Sequence, residues 1–145
     1  MFPYQILEVA NCHGGNLSYL LSLIDEFAKY NQYGIKFQPF HYDKISTKDY
    51  DNYKVYKELF FTQKEWKKII GIASTTKEVW LDLFDPYGVE VFEQNRDKIT
   101  GIKFQPSVLY NESVMSALGV GKLLNKKLIL NVSALQLSEI KERCT

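Results

Sequence analysis

Gly34-Ile-Lys-Phe-Gln-Pro39 recurs letter for letter as Gly101-Ile-Lys-Phe-Gln-Pro106. No other feature constrains the fold more. Six identical residues at an offset of 67 positions point to one structural element used twice in one framework. Each copy is a short apolar run between glycine and proline, which reads as a strand that its proline stops. Side chains alternate along a strand, so Ile35 and Phe37 share one face, and Lys36 and Gln38 the other. The same holds for Lys103 and Gln105.

The segments around the two copies alternate between strand and helix patterns, the signature of a parallel sheet. A first strand is predicted over 5–10. Asn16 then offers a helix cap, and Leu17, Leu20, Leu21, Ile24 and Phe27 recur at helical spacing. Residues 41–62 are polar and tyrosine-rich and read as a long excursion with some helix after the second strand. Thr62-Gln-Lys-Glu65 is a capping box ahead of Trp66, Ile69 and Ile70. Further strands are predicted over 79–84, 99–105 and 128–132. Helices are predicted over 87–94, from Asn111 or Ser113 to a stop at Gly119 and Gly121, and from 135 to 143. Five parallel strands fit two architectures. One is the first five units of a (β/α)8 TIM barrel, which needs about 250 residues when complete. The other is an open doubly wound sheet. No linker divides the 145 residues, so a single domain is expected.

Composition narrows the function. Lys+Arg is 18 and Asp+Glu is 17, a net charge of +1, which leaves no electrostatic footprint for nucleic acid or a membrane surface. No apolar run is long enough to span a bilayer, and the N-terminus lacks the charged region of a signal peptide. Two cysteines, Cys12 and Cys144, make no disulfide framework, and a reducing cytoplasm is the expected setting.

Two constellations could carry chemistry. In a barrel, Lys36, Gln38, Lys103 and Gln105 point inward, and alternate strands fill the same interior layer. Two lysines meeting there call for an anionic partner and would suit a phosphate or carboxylate. The other is Glu8-Val-Ala-Asn-Cys-His-Gly-Gly15 at the end of the first strand. Glu8 could bind sugar hydroxyls or move a proton, and neutral His13 could donate to an oxyanion or bind a metal. Asp82 and Asp85 flank the third strand's end and could ligate a hard cation or pair with a lysine. Asp85-Pro86 reads as a helix cap with proline at the first helical position, and His41 as a surface residue. A lysine nucleophile forming a Schiff base is a third possibility at Lys36 or Lys103.

These residues resemble the N-terminal part of the sialic acid synthase family, with its pseudaminic and legionaminic acid relatives. Glu8-Val-Ala-Asn-Cys-His-Gly-Gly15 stands where the family has EIGxNHNG. Ile35-Lys-Phe-Gln38 stands for AVKFQ, Leu81-Asp-Leu-Phe-Asp85 for STPFD, and Ile102-Lys-Phe-Gln-Pro-Ser107 for FKIxSG. The run from Lys126 to Ile140 is similar to KPVILSTGMATLEEI. The resemblance implies about five of eight barrel units, without the antifreeze-like domain that follows the barrel in the family. It implies condensation of phosphoenolpyruvate with an N-acylmannosamine-type amino sugar, releasing phosphate and forming a nonulosonic acid. Lys36 and Lys103 would bind phosphoenolpyruvate, Glu8 would contact the amino sugar and serve catalysis, and Asn11, His13 and Gln38 would line the same mouth. A divalent metal, Mn or Mg, serves the intact family enzyme. Its histidine ligands lie in later strands, so none is expected on this chain alone. The chain departs from the pattern in having Asp82 at the family's threonine, Gln105 and Pro106 at small polar positions, Val108 at an acidic one, and Asn131-Val-Ser133 for STG. These departures make a degenerate relative, binding an anionic sugar ligand or a partner chain, the competing expectation. Open edges on a five-unit barrel further imply pairing with another copy or with a C-terminal segment.

Overall fold

The computed structural model describes residues 4–30, 33–119, 123, 125–133 and 135–144, with 143 and 144 by backbone alone. Gly121 and the side chain of Cys144 lie outside the described residues. Five strands form one parallel sheet: β1 (Gln5–Glu8), β2 (Tyr33–Phe37), β3 (Val79–Leu83), β4 (Ile99–Phe104) and β5 (Lys127–Leu130). They lie side by side in chain order. A doubly wound sheet reverses its order at a switch point, and this one does not, so the doubly wound alternative is excluded. Every crossover advances one strand in the same direction. With right-handed connections this places the helices on one face and curls the sheet into a half-barrel. The curl is strong enough that Tyr4, entering β1, and Lys127, in β5, meet over the concave side. Both bond to Glu78, and the Lys127 amine lies 5.1 Å from the centroid of the Tyr4 ring.

The helices follow from their caps. Asn16 accepts from the Tyr19 N–H at 3.0 Å to start α1 (Leu17–Ala28). The excursion folds as α2 (Tyr42–Ile45) and α3 (Tyr53–Leu59). The Thr62–Glu65 box opens α4 (Gln63–Ala73) in both directions, as its sequence announced. Asp85 caps α5 (Pro86–Gln94), accepting from the Gly88 N–H at 2.8 Å. Arg96–Lys98 is a single 3-10 turn. Pro106 both ends the strand segment and opens α6 (Pro106–Leu109), a helix the sequence reading lacked because four residues show no period. Then follow α7 (Glu112–Leu118), capped by Asn111, and α8 (Leu137–Cys144).

The apolar core lies between the convex face and these helices. Ile35, Phe37, Leu81, Leu83 and Ile102 from the strands pack with Leu20, Ile24, Ile69, Ile70 and Phe92, and all are buried. Each such side chain contributes about 1.5–3 kcal/mol by leaving water. The concave face is built from different residues: Gly34, Lys36, Trp80, Asp82, Gly101 and Lys103. Among the described residues no helix is long and apolar enough to cross a membrane.

Candidate functional site

The floor of the concave face explains the glycines of the repeated hexapeptide. Trp80 pairs in register with Lys36 on one side and Gly101 on the other. Its buried indole lies across both flanking strands. A Cβ at Gly101 would stand 2.3 Å from Trp80 Cζ3, and one at Gly34 would stand 3.0 Å from Trp80 Nε1. Trp80 Nε1 donates to the Tyr4 hydroxyl at 2.9 Å, and Tyr4 donates on to Glu78 at 2.5 Å. Burial, then the bond to Glu78, pushes the Tyr4 hydroxyl up to about 12. The Tyr4 bond, aided by Lys127, holds the Glu78 carboxyl below its usual range against the opposing effect of burial.

Beyond Trp80, at the C-terminal ends of the strands, the two lysines of the hexapeptide converge. Lys103 Nζ donates to Asp82 Oδ2 at 2.8 Å, and Lys36 Nζ lies 3.7 Å from the same oxygen. Lys36 also forms an ion pair with Glu8 across the β1–β2 ladder. Gln105 Nε2 donates to Asp82 Oδ2 at 3.0 Å, and Asn131 Nδ2 donates to Gln105 Oε1 at 2.9 Å. Asp82 is fully buried, and its Oδ1 has no hydrogen-bond partner. Burial works to lower the Lys103 pKa, but the bond and charge of Asp82 outweigh it and the ammonium is held above its usual range. Two lysines and two carboxylates leave this cluster formally neutral.

A mouth of about 350 Å³ opens further out, lined by Asn11, Gln38, Phe40, Ile45, Tyr56 and Phe84. Asn11 Oδ1 is buried there without a hydrogen-bond partner. The chain reaches this rim through a tight turn after β1, with Ala10 at φ 44°, Gly14 at 55° and Gly15 at 75°. Gly15 is required: a Cβ there would stand 2.0 Å from the Glu58 carbonyl oxygen.

His13 serves that turn. It is buried, its ring is 4.7 Å from that of Phe61, and its Nδ1 accepts from the Gly15 N–H at 3.0 Å. Burial lowers its pKa, which keeps the ring neutral. His41 is half-buried, not on the surface as expected. Its Nδ1 accepts from the Asp43 N–H, and its ring sits among Tyr42, Phe60 and Tyr87. The backbone N–H of His41 donates to Asp85 at 2.7 Å, so one buried carboxylate fastens the excursion to the start of α5. Burial raises the Asp85 pKa against the pull of these bonds.

The fold thus brings Glu8, Lys36 and Lys103 together and sets Asn11 and Gln38 in the neighbouring mouth, while the interactions of His13 belong to its own turn. Trp80 was not singled out from sequence, although its even spacing from Asp82, which puts both on one face of the strand, was available as a signal. Among the described residues no group of three or more His, Cys, Asp or Glu side chains could hold a metal ion. The two carboxylates of the cluster are already engaged by lysines, so these residues do not fit a divalent metal.

No protein-family profile matches the chain, and no curated protein sequence does. Among solved structures it is similar to an N-acetylneuraminic acid (sialic acid) synthetase from Leptospira borgpetersenii serovar Hardjo-bovis, determined in complex with citrate. The TM-score is 0.82 at 20% identity, over 97% of this chain and 48% of that one. The likeness is one of fold. This chain has the architecture of about half of that synthetase. A GH6 enzyme from Orpinomyces sp. Y102 aligns with a TM-score of 0.49 at 15% identity, over 90% of this chain and 53% of that one, too weak a likeness to bear on function.

Proposed function

We propose that this half-barrel binds a small acid at the C-terminal ends of its strands, with a sugar in the adjoining mouth, as one side of a sialic-acid-synthase-type site. One observation carries the reading: the Lys36 and Lys103 amines, 67 residues apart in sequence, both approach Asp82 Oδ2 on the concave face. Ammonium groups held at that end of parallel strands are suited to a carboxylate or phosphate. Asn11 and Gln38 offer amide donors and acceptors to sugar hydroxyls, and Phe40, Tyr56 and Phe84 offer apolar walls. Glu8, paired with Lys36 at the exposed end of the cluster, holds the place that a guest carboxylate would take.

In a complete barrel of this type the acid would be phosphoenolpyruvate and the sugar an N-acylmannosamine. The divalent metal of that reaction would have to come from groups other than those described here. The part of this chain's own residues is to bind and orient. A second reading has its own support in the cluster's neutrality: a relative that does not condense, but holds an anionic sugar ligand or a partner chain. Titration calorimetry with phosphoenolpyruvate, with and without Mn²⁺, and with N-acetylneuraminate tests both. Heat from phosphoenolpyruvate that does not depend on Mn²⁺, since these residues do not fit the metal, is expected for the acid half of a condensing site. Heat from the sugar acid alone is expected for the binding relative. No heat from any of them rejects the acid site. Either reading leaves β1 and β5 as sheet edges, to be covered by a second copy or by further strands. Sedimentation of the chain distinguishes monomer from pair.

A further inference from the structure

We infer that Asp82 makes this site selective for a small monocarboxylate over an acid that also carries phosphate. The inference rests on the acid-binding reading above and adds the charge class of the guest.

The two carboxylates of the cluster are held very differently. Asp82 lies on the central strand with lysine-bearing strands on either side, and it is fully buried. One of its oxygens takes Lys103 at 2.8 Å and Gln105 at 3.0 Å, and Asn131 in turn fixes Gln105 at 2.9 Å. It cannot leave without stranding these donors. Glu8 sits on edge strand β1 with a side chain 41% exposed. It holds Lys36, and its other oxygen accepts the Ala10 N–H at 3.2 Å.

A guest carboxylate has the chemistry of the Glu8 carboxylate and can replace it on Lys36. Glu8 then swings into water, and one anion has been exchanged for another. Lys36, Lys103 and Asp82 together keep one surplus positive charge, which a monocarboxylate neutralises. A phosphate on the same guest would bring further negative charge toward Asp82 in a poorly solvated place, where like charges repel strongly. Lys103 cannot turn to meet it, because Asp82 already holds its ammonium.

The experiment is calorimetry on the full chain with pyruvate and N-acetylneuraminate as monocarboxylates, phosphoenolpyruvate as the phosphate-bearing acid, and the variants Glu8→Gln and Asp82→Asn. The native chain is expected to bind at least one monocarboxylate about tenfold or more tighter than phosphoenolpyruvate. Glu8→Gln, which removes the internal competitor from an exposed position, should tighten monocarboxylate binding about tenfold and keep that order. Asp82→Asn should shift the ratio toward phosphoenolpyruvate by about tenfold or more. If Asp82→Asn does not fold by circular dichroism, the native chain and Glu8→Gln decide. Phosphoenolpyruvate binding as tightly as the monocarboxylates, or weaker monocarboxylate binding in Glu8→Gln, overturns the inference and leaves the acid site standing. Silence from all three acids in both proteins removes the acid site and the inference with it.

Discussion

The two copies of Gly-Ile-Lys-Phe-Gln-Pro are chemically identical and do different work. Both put Ile and Phe into the convex core and Lys onto the concave face, because strand alternation depends only on the backbone. Beyond that they diverge with their neighbours. The copy in β2 lies beside edge strand β1, so Lys36 takes exposed Glu8 and reaches Asp82 only at 3.7 Å. The copy in β4 lies between β3 and β5, so Lys103 takes Asp82 at 2.8 Å, and Gln105 bridges Asp82 and Asn131. Gln38 lines the mouth instead. A side chain's orientation is local, whereas its partner is a matter of tertiary placement.

Removing the shared partner should break this contrast most. Asp82→Asn leaves two largely buried ammonium groups short of a counter-charge and is expected to cost about 3–5 kcal/mol in urea unfolding. Glu8→Gln, at the exposed end of the same cluster, should leave the midpoint nearly unchanged. Comparable losses from the two would show that the copies are anchored alike.

The glycines sharpen the comparison further. A Cβ at Gly101 would meet three Trp80 ring carbons at 2.3–2.7 Å, and that ring is buried and cannot retreat. Gly101→Ala should therefore cost about 1–3 kcal/mol. At Gly34 the nearest atom is the hydroxyl tip of Tyr4, an exposed side chain that can move aside. Gly34→Ala should cost less, and thermal unfolding of the pair checks the order. Asn131→Ala removes the bond that steadies Gln105 and should cost about 1 kcal/mol. A value near zero would mean that the β4 copy does not depend on β5.

The smallest expected effect lies in the turn beside the first copy. His13 has a lowered pKa because its ring is buried, so the folded chain binds a proton less readily than the unfolded one. Its stability contribution is then complete above the unfolded value of about 6.5 and is lost as the pH falls through the lower folded value. His13→Phe should flatten the stability profile on the acid side of that value, as read from urea midpoints at several pH values.

Much of the fold was legible because its signals are local. The Asn16 cap, the Thr62–Glu65 box and the Asp85-Pro86 start are hydrogen bonds made within four residues, and all three appear where the sequence placed them. The short α6 and the 3-10 turn were not legible, since neither is long enough to show a period. His41 was misjudged for a related reason. Its burial comes from Phe60 and Tyr87, which reach it only after the excursion has folded back. Within the candidate site the inward lysines could be read from alternation, but the meeting of Lys103, Gln105 and Lys36 at one oxygen of Asp82 could not.

The amino-acid order by itself determined where the five strands and the capped helices lie, which face each strand side chain takes, and that Lys36 and Lys103 hold equivalent places on two copies of one strand. Those properties depend on backbone geometry and on neighbours a few residues away. Tertiary structure alone decided that the sheet keeps its chain order and curls, that Trp80 lies in the space left by both glycines, and that one buried carboxylate binds both lysines. Those outcomes depend on contacts between strands far apart in the chain, and the energy of a buried charge is set by whatever the fold places around it.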